Sequence, residues 1–295
     1  MTVEAAVSLR KPPNAAAISI APAAVLVVGA MGIPLVFLVA VALQSSNAGV
    51  DAFHQVTLEN FRRVLSDPFV WRVFARTFRV SALATVIAMA CSYPVAWYLS
   101  RASHRARSLM FLLIMSPLLV SILARLQGWL ILLGPGGVVP AVLQEIGFAV
   151  PPRGMIGTEA AIVVGLVHLV LPFGVLNLDV AFRNIDDTWI LAARDLGATD
   201  SVLFWRVLFP LSIGGLIRAA SAAMAVGVSI FATPALLGAG IRPVLSTLIY
   251  NQGLVSINWP AASLLAIVLV LGAMLLILGA SWVVSMKYDV GWRKQ

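Results

Sequence analysis

The stretch ILAARDLGATDSVLFWRVLFP, Ile190 to Pro210, joins two apolar runs of membrane-spanning length. Ile190–Leu196 reads as a helix, with Ala192 and Ala193 small enough for another surface to approach closely. Gly197 then supplies a turn that other residues adopt poorly. Thr199 or Asp200 is placed to cap a second helix starting near Ser201. Pro210 falls in the first turn of the next run, where its missing N–H matters little. The predicted order is helix, turn, short helix, membrane. An ordinary solvated loop has no need of Trp189, Ile190, Leu191, Val202, Leu203 and Phe204 so close together. Such an apolar cluster beside mixed charges suggests a docking surface across the loop 182–206.

Outward from this loop the chain is almost continuously apolar. Charged residues are 11% of the 295 and hydrophobic residues 61%, against about 25% charged in an ordinary soluble domain. Mean hydropathy is +0.99. So few charges cannot cover a water-soluble globule, and disorder requires low hydrophobicity. An integral membrane protein remains. Six runs have spanning length, at 19–43, 80–100, 109–133, 157–180, 207–233 and 260–286. They are too uniformly apolar for alternating barrel strands, so the expected fold is all-α with six transmembrane helices. The first run is longer than a cleaved signal's apolar core and is read as a retained span.

Orientation follows from Lys and Arg in the loops. One side holds Arg10 and Lys11, Arg101, Arg105 and Arg107, Arg183, Arg194 and Arg206, and Lys287, Arg293 and Lys294. The other holds Arg153 and Arg242, apart from five arginines in the long segment 44–79. Both termini, the tails 1–18 and 287–295, are therefore expected in the cytoplasm. Within the long segment, Leu58, Phe61 and Leu65 share one helical face, and Phe69, Val70, Val73 and Phe74 share another. That pattern predicts short helices lying in the membrane interface and bracing the bundle. The net charge of +8 fits basic loops against an anionic membrane surface rather than nucleic acid.

Enzyme signatures do not occur. No phosphate-cradling loop ends in Gly-Lys-Ser/Thr, so ATP binding by that route is excluded. No zinc-binding His-Glu-x-x-His helix or Gly-x-Ser-x-Gly elbow is present. Cys91 is the single cysteine, and His54, His104 and His168 are far apart, so no metal-ligand spacing arises.

Ala192–Ala198, AARDLGA, followed by the Phe-Trp-Arg-Val-Leu-Phe-Pro ending at Pro210, resembles the signature loop of permease subunits in binding-protein-dependent ABC importers. Thr57–Phe61, Tyr93–Trp97, Leu171–Phe173, Phe231–Gly238 and Asn258–Pro260 are similar to the spermidine/putrescine-type branch, specifically the first of its two permeases. The signature usually begins with Glu, and Leu191 stands there instead. The resemblance implies a type I importer permease of the bacterial inner membrane. Its loop seats on a separate ATPase, with contacts expected from Leu191, Ala192, Ala193, Arg194, Asp195, Gly197, Ala198, Asp200 and Phe204. It further implies a second permease, expected to form a heterodimer, and a periplasmic solute-binding protein. ATP and magnesium belong to the partner ATPase, and this chain is expected to carry no cofactor or metal of its own.

Polar groups inside spans are costly and are functional candidates by default. Arg125, Trp129, His168 and Arg218 are candidates for lining the solute path, or for pairing with backbone and carboxylates. Glu159 and Asp179 fit helix-end or interface roles better, and Asn177 lies near the inner end of the same span. Gly215, Ala219, Ala223 and Gly227 recur every four residues, a small-residue stripe suited to close helix packing. The stripe is a candidate for subunit contact, or for packing within the chain. A polyamine would favour carboxylates and aromatic faces in its path, yet the spans offer arginines and few acids. Polyamine-like or other small polar organic solutes, including anionic or zwitterionic ones, stay open. The competing class is a secondary transporter or channel, which predicts ion-coupling carboxylates at broken mid-membrane helices; an embedded enzyme is a more distant alternative.

Overall fold

The computed structural model describes residues 13–45 and 57–288. The expected tails fall outside the described residues, apart from the few positions taken up by the first and last helices. The described residues form helices without strands, in the order α1 Pro13–Ala42, α2 Glu59–Ser66, α3 Pro68–Arg101, α4 His104–Leu119, α5 Ile122–Leu133, α6 Val138–Glu145, α7 Glu159–Arg183, α8 Asp187–Asp195, α9 Asp200–Leu203, α10 Phe209–Ser229, α11 Ala232–Leu237, α12 Leu245–Tyr250 and α13 Trp259–Tyr288. Six segments are long and apolar enough to cross a membrane.

The span expected at 80–100 starts earlier, at Pro68, and runs for 34 residues, roughly 51 Å at the helical rise. Asp67 caps it by accepting from the Phe69 backbone N–H at 2.7 Å, and Pro68 occupies the first helical position. The apolar face Phe69–Phe74 is therefore part of α3 rather than a separate interfacial helix. Ahead of it, α2 is short and amphipathic. Its buried Asn60 donates to the carbonyls of Ala42 and Pro260 at 3.0 and 2.9 Å, which ties the end of α1 to the start of α13.

The run 109–133 is divided. Pro117 sits in the last turn of α4, Val120 is extended, and α5 restarts after Ser121. The core is built by α3, α7 and α10. Met89, Ala96, Leu99, Val175, Leu178, Phe182, Ala219 and Ala223 pack there as one buried cluster. Glycine allows a close approach in α7, where a Cβ on Gly174 would sit 2.6 Å from Met89 and Ser92 of α3. Around this core, α1, α4 and α13 present large exposed apolar side chains, as a lipid-facing surface must.

Candidate functional site

The loop 182–206 forms two short helices, α8 and α9, joined by a tight turn through Gly197. Asp186 caps α8, its carboxylate accepting from the Thr188 backbone N–H at 2.9 Å. That bond, with a second from the Thr188 side chain, holds the Asp186 carboxyl below its ordinary range. The C-terminus of α8 closes with paired bonds: Ala198 N–H to the Ala193 carbonyl at 3.0 Å and Gly197 N–H to the Arg194 carbonyl at 2.9 Å. This is the Schellman arrangement, and it requires the left-handed φ of +78° found at Gly197. Thr199 then caps α9 through the Val202 N–H, and Arg194 meets Asp200 across the turn at 3.6 Å.

No residue of α8 is buried. Trp189, Leu191 and, just past the helix end, Leu196 are 59, 60 and 89% exposed, so three large apolar side chains are left uncovered by the other described residues. Ala192, Arg194 and Asp195 are also exposed, whereas Ala193, Ala198 and Phe204 are half-buried. A π-helical turn, Phe204–Leu208, carries α9 into α10 without interruption.

Beneath the joint lies an aromatic platform that the sequence did not reveal. Tyr93 of α3 meets Phe182 of α7 edge-on at 5.0 Å and Phe204 at 5.6 Å. Trp97 meets Phe182 at 5.2 Å, and the Tyr93 hydroxyl pairs with Ser212 of α10 at 2.7 Å. The Arg101 guanidinium lies over Trp97 at 3.4 Å and reaches Asp187 of α8 at 3.4 Å. Nearby, buried Asp179 is held by Arg107 at 2.6 Å and Arg183 at 3.5 Å. The signal available was the Tyr93–Trp97 stretch, whose aromatic partners come from distant parts of the chain.

Of the four candidate path residues, the fold gathers three. The Trp129 indole N–H of α5 donates to His168 Nδ1 of α7 at 3.0 Å. Arg125, one turn from Trp129, donates to the Pro117 carbonyl across the helix break at 2.8 Å, and its charge reaches His168. Arg218 is elsewhere. It lies one turn from Gly215, which packs on Ala181, and this places it roughly 15 Å along the bundle from His168. Arg218 is exposed and makes no hydrogen bond or ion pair among the described residues. Glu159, at the end of the bundle away from α8, is bracketed by Arg76 at 3.2 Å and Arg79 at 2.5 Å.

The small-residue stripe of α10 is occupied inside the chain. Gly215 rests on Ala181 of α7, Gly227 on Ser81 of α3, and Ala219 and Ala223 have no exposed area. Of the two roles open to the stripe, packing within the chain is the one these contacts describe: its partners here are the neighbouring core helices.

The spermidine/putrescine permease PotB of Haemophilus influenzae is 31% identical over 235 residues, 80% of this chain and 82% of that protein. PotB of Escherichia coli is 31% identical over 223 residues, 75% of this chain and 81% of its own length. The chain belongs to the PotB-type permeases of ABC importers. The permease is thus a multi-pass inner-membrane subunit whose family leaves ATP hydrolysis to a separate polypeptide. The same fold occurs in a chain of a bacterial transporter that imports the acidic polysaccharide alginate, at TM-score 0.72 and 16% identity, covering 94% of the permease and 96% of that chain. It also occurs in the MetNI methionine transporter, at TM-score 0.52 and 23% identity, over 74% of the permease and 93% of that chain. No family model matches the permease.

Proposed function

We propose that this permease, with a second and different permease, forms the solute path of an importer for polyamine-like or other small polar organic solutes, and that α8 and α9 are its contact with the ATPase. Both termini and the α8 end face the cytoplasm. A periplasmic binding protein delivers solute to the opposite end. ATP and magnesium, bound by two ATPase subunits, close those subunits on each other. The joint transmits the closure to the spans as a rigid-body movement that alternates access.

The observation that carries this reading is a fully capped helix–turn–helix with no buried residue in α8 and three large apolar side chains exposed on or beside it. An exposed apolar surface rimmed by charged residues marks an interaction site. An ion-coupled transporter needs free carboxylates in its spans. Here Glu159 and Asp179 are each neutralised by two arginines.

Ala192→Trp tests the contact, because Ala192 is exposed on α8 and the added bulk meets no buried residue of the helix. Membrane insertion is expected to be unchanged, while ATPase copurification falls at least several-fold. Normal copurification would remove α8 from the contact.

A further inference from the structure

We propose that Arg125, His168 and Trp129 form a subsite for a carboxylate, so that the cargo is an amino-carboxylate rather than a bare polyamine. The inference rests on the permease reading above and names the solute chemistry within it. An indole N–H only donates. His168 Nδ1, which accepts from Trp129 at 3.0 Å, therefore carries no proton. The imidazole proton sits on Nε2, which is left as a donor. Arg125 uses one guanidinium N–H on the Pro117 carbonyl at 2.8 Å. Its remaining N–H groups have no partner among the described residues. The cluster thus presents donors only, one of them a full positive charge, and no acid answers it.

Charge elsewhere in the spans sharpens the contrast. The carboxylates of the spans are Glu159 and Asp179 in α7, with Glu145 exposed at the very end of α6. Glu159 and Asp179 are each matched by two arginines, although one buried oxygen of Asp179 has no hydrogen-bond partner. Arg125, by contrast, has no carboxylate partner among the described residues and is left to receive an anion. A planar guanidinium suits the two oxygens of a carboxylate, and the free N–H of His168, held by Trp129 one turn from Arg125, adds a neutral donor to the same cluster. A cationic amine beside it meets repulsion that low dielectric strengthens.

Depth supports a place on the path. His168 lies nine residues beyond Glu159 in α7, roughly 14 Å along the axis, about halfway through a ~30 Å hydrocarbon core. A guanidinium at that depth faces protein or a water-filled passage rather than lipid. Arg125 and His168 are both only half-buried in the chain.

The test uses the assembled importer in membranes and a thiol placed at Gly128, one turn beyond Arg125, where a Cβ has open space. The exposed native Cys91 is first removed as Cys91→Ser. In Cys91→Ser/Gly128→Cys, an anionic sulfonatoethyl methanethiosulfonate should react roughly tenfold faster than its trimethylammonium analogue, each rate divided by its rate with free thiol. Adding Arg125→Gln should bring the ratio near one. Equal or cation-favouring rates with Arg125 present, a ratio indifferent to Arg125→Gln, or a thiol that neither reagent reaches would overturn the subsite. The cargo is read by protection. Added 4-aminobutanoate should slow the reaction several-fold, whereas putrescine, which has an ammonium in place of the carboxylate, should not. Protection by putrescine, alone or alongside 4-aminobutanoate, or protection by neither solute, overturns the cargo assignment. ATPase copurification from the same membranes reads the permease assignment separately, so the two failures are distinct results.

Discussion

Gly197 is the position where a substitution weakens the joint and touches nothing else. Its φ of +78° is left-handed, and a Cβ there would meet no atom within 4 Å. Gly197→Ala therefore adds backbone strain alone, about 1–2 kcal/mol, which lowers the population of the closed turn about 5- to 30-fold relative to open ones. With no buried residue in α8, packing cannot compensate. Asn tolerates this conformation better than Ala, so Gly197→Asn should be milder. Gly197→Pro should be worst. The ring fixes φ near −65° and removes the N–H that donates to Arg194 at 2.9 Å, a loss of about 3 kcal/mol or more. The assay is ATP hydrolysis by the nanodisc-reconstituted importer, stimulated by loaded binding protein, with ATPase copurification measured alongside. Activity should fall in the order Gly, Asn, Ala, Pro at unchanged membrane insertion. Full stimulation in Gly197→Pro, or Ala equal to or better than Asn, would refute the claim that this turn must be left-handed to work.

Two further outcomes are expected. Gly215→Leu drives a side chain into Ala181 and should destabilise the permease itself, by about 1–3 kcal/mol. A lowered melting temperature of the permease purified alone checks this; a defect seen only on pairing with the second permease would return the stripe to the subunit interface. Asp186 has a depressed carboxyl, so its capping contribution is complete above the ordinary carboxylate range and is lost only as pH falls through the lowered value. Stimulated ATP hydrolysis in Asp186→Asn, which keeps a capping side chain, should thus follow the parent's pH profile between about pH 5 and 8, and Asp186→Ala should be slower across it. An acid-side loss in the parent near pH 6 that Asp186→Asn abolishes would contradict the depressed carboxyl.

Local signals explain what was legible beforehand. The joint could be read because its determinants are adjacent: Ala193, Gly197 and Thr199 fix turn and cap within seven residues. Apolar runs likewise announce spans. The break at Val120 could not be read, because both sides of it are apolar and Pro117 alone does not say whether a helix bends or stops. The true start of α3 was masked by Arg72, Arg76 and Arg79, which interrupt the hydropathy. Two of these arginines are accommodated by Glu159, some 80 residues away. The stripe on α10 announced close packing truthfully, but four small residues carry no information about which helix will fill the space above them. The aromatic platform draws one or two residues from each of three helices, and no window of sequence contains it.

The platform bears on how a push at α8 would travel. Backbone continuity alone, through the π-helical turn into α10, would let α10 tilt while α3 and α7 stayed behind. Side chains oppose that. Asp187 at the start of α8 holds Arg101 at the end of α3, and Phe204 bears on Tyr93, which bears on Phe182. Higher in the bundle, Gly215 against Ala181 and Gly174 against Met89 and Ser92 leave no room for one core helix to slide independently. Close-packed interiors transmit displacement rather than absorb it. Under the coupling reading, α3, α7 and α10 therefore move as one body. The cluster of Arg125, Trp129 and His168 sits at the seam where that body meets α5, a helix already separated from α4 at Val120. A tilt of the core past α5 changes the spacing between His168 and Arg125 directly, and this places the proposed carboxylate contact where a rigid-body stroke can make and break it.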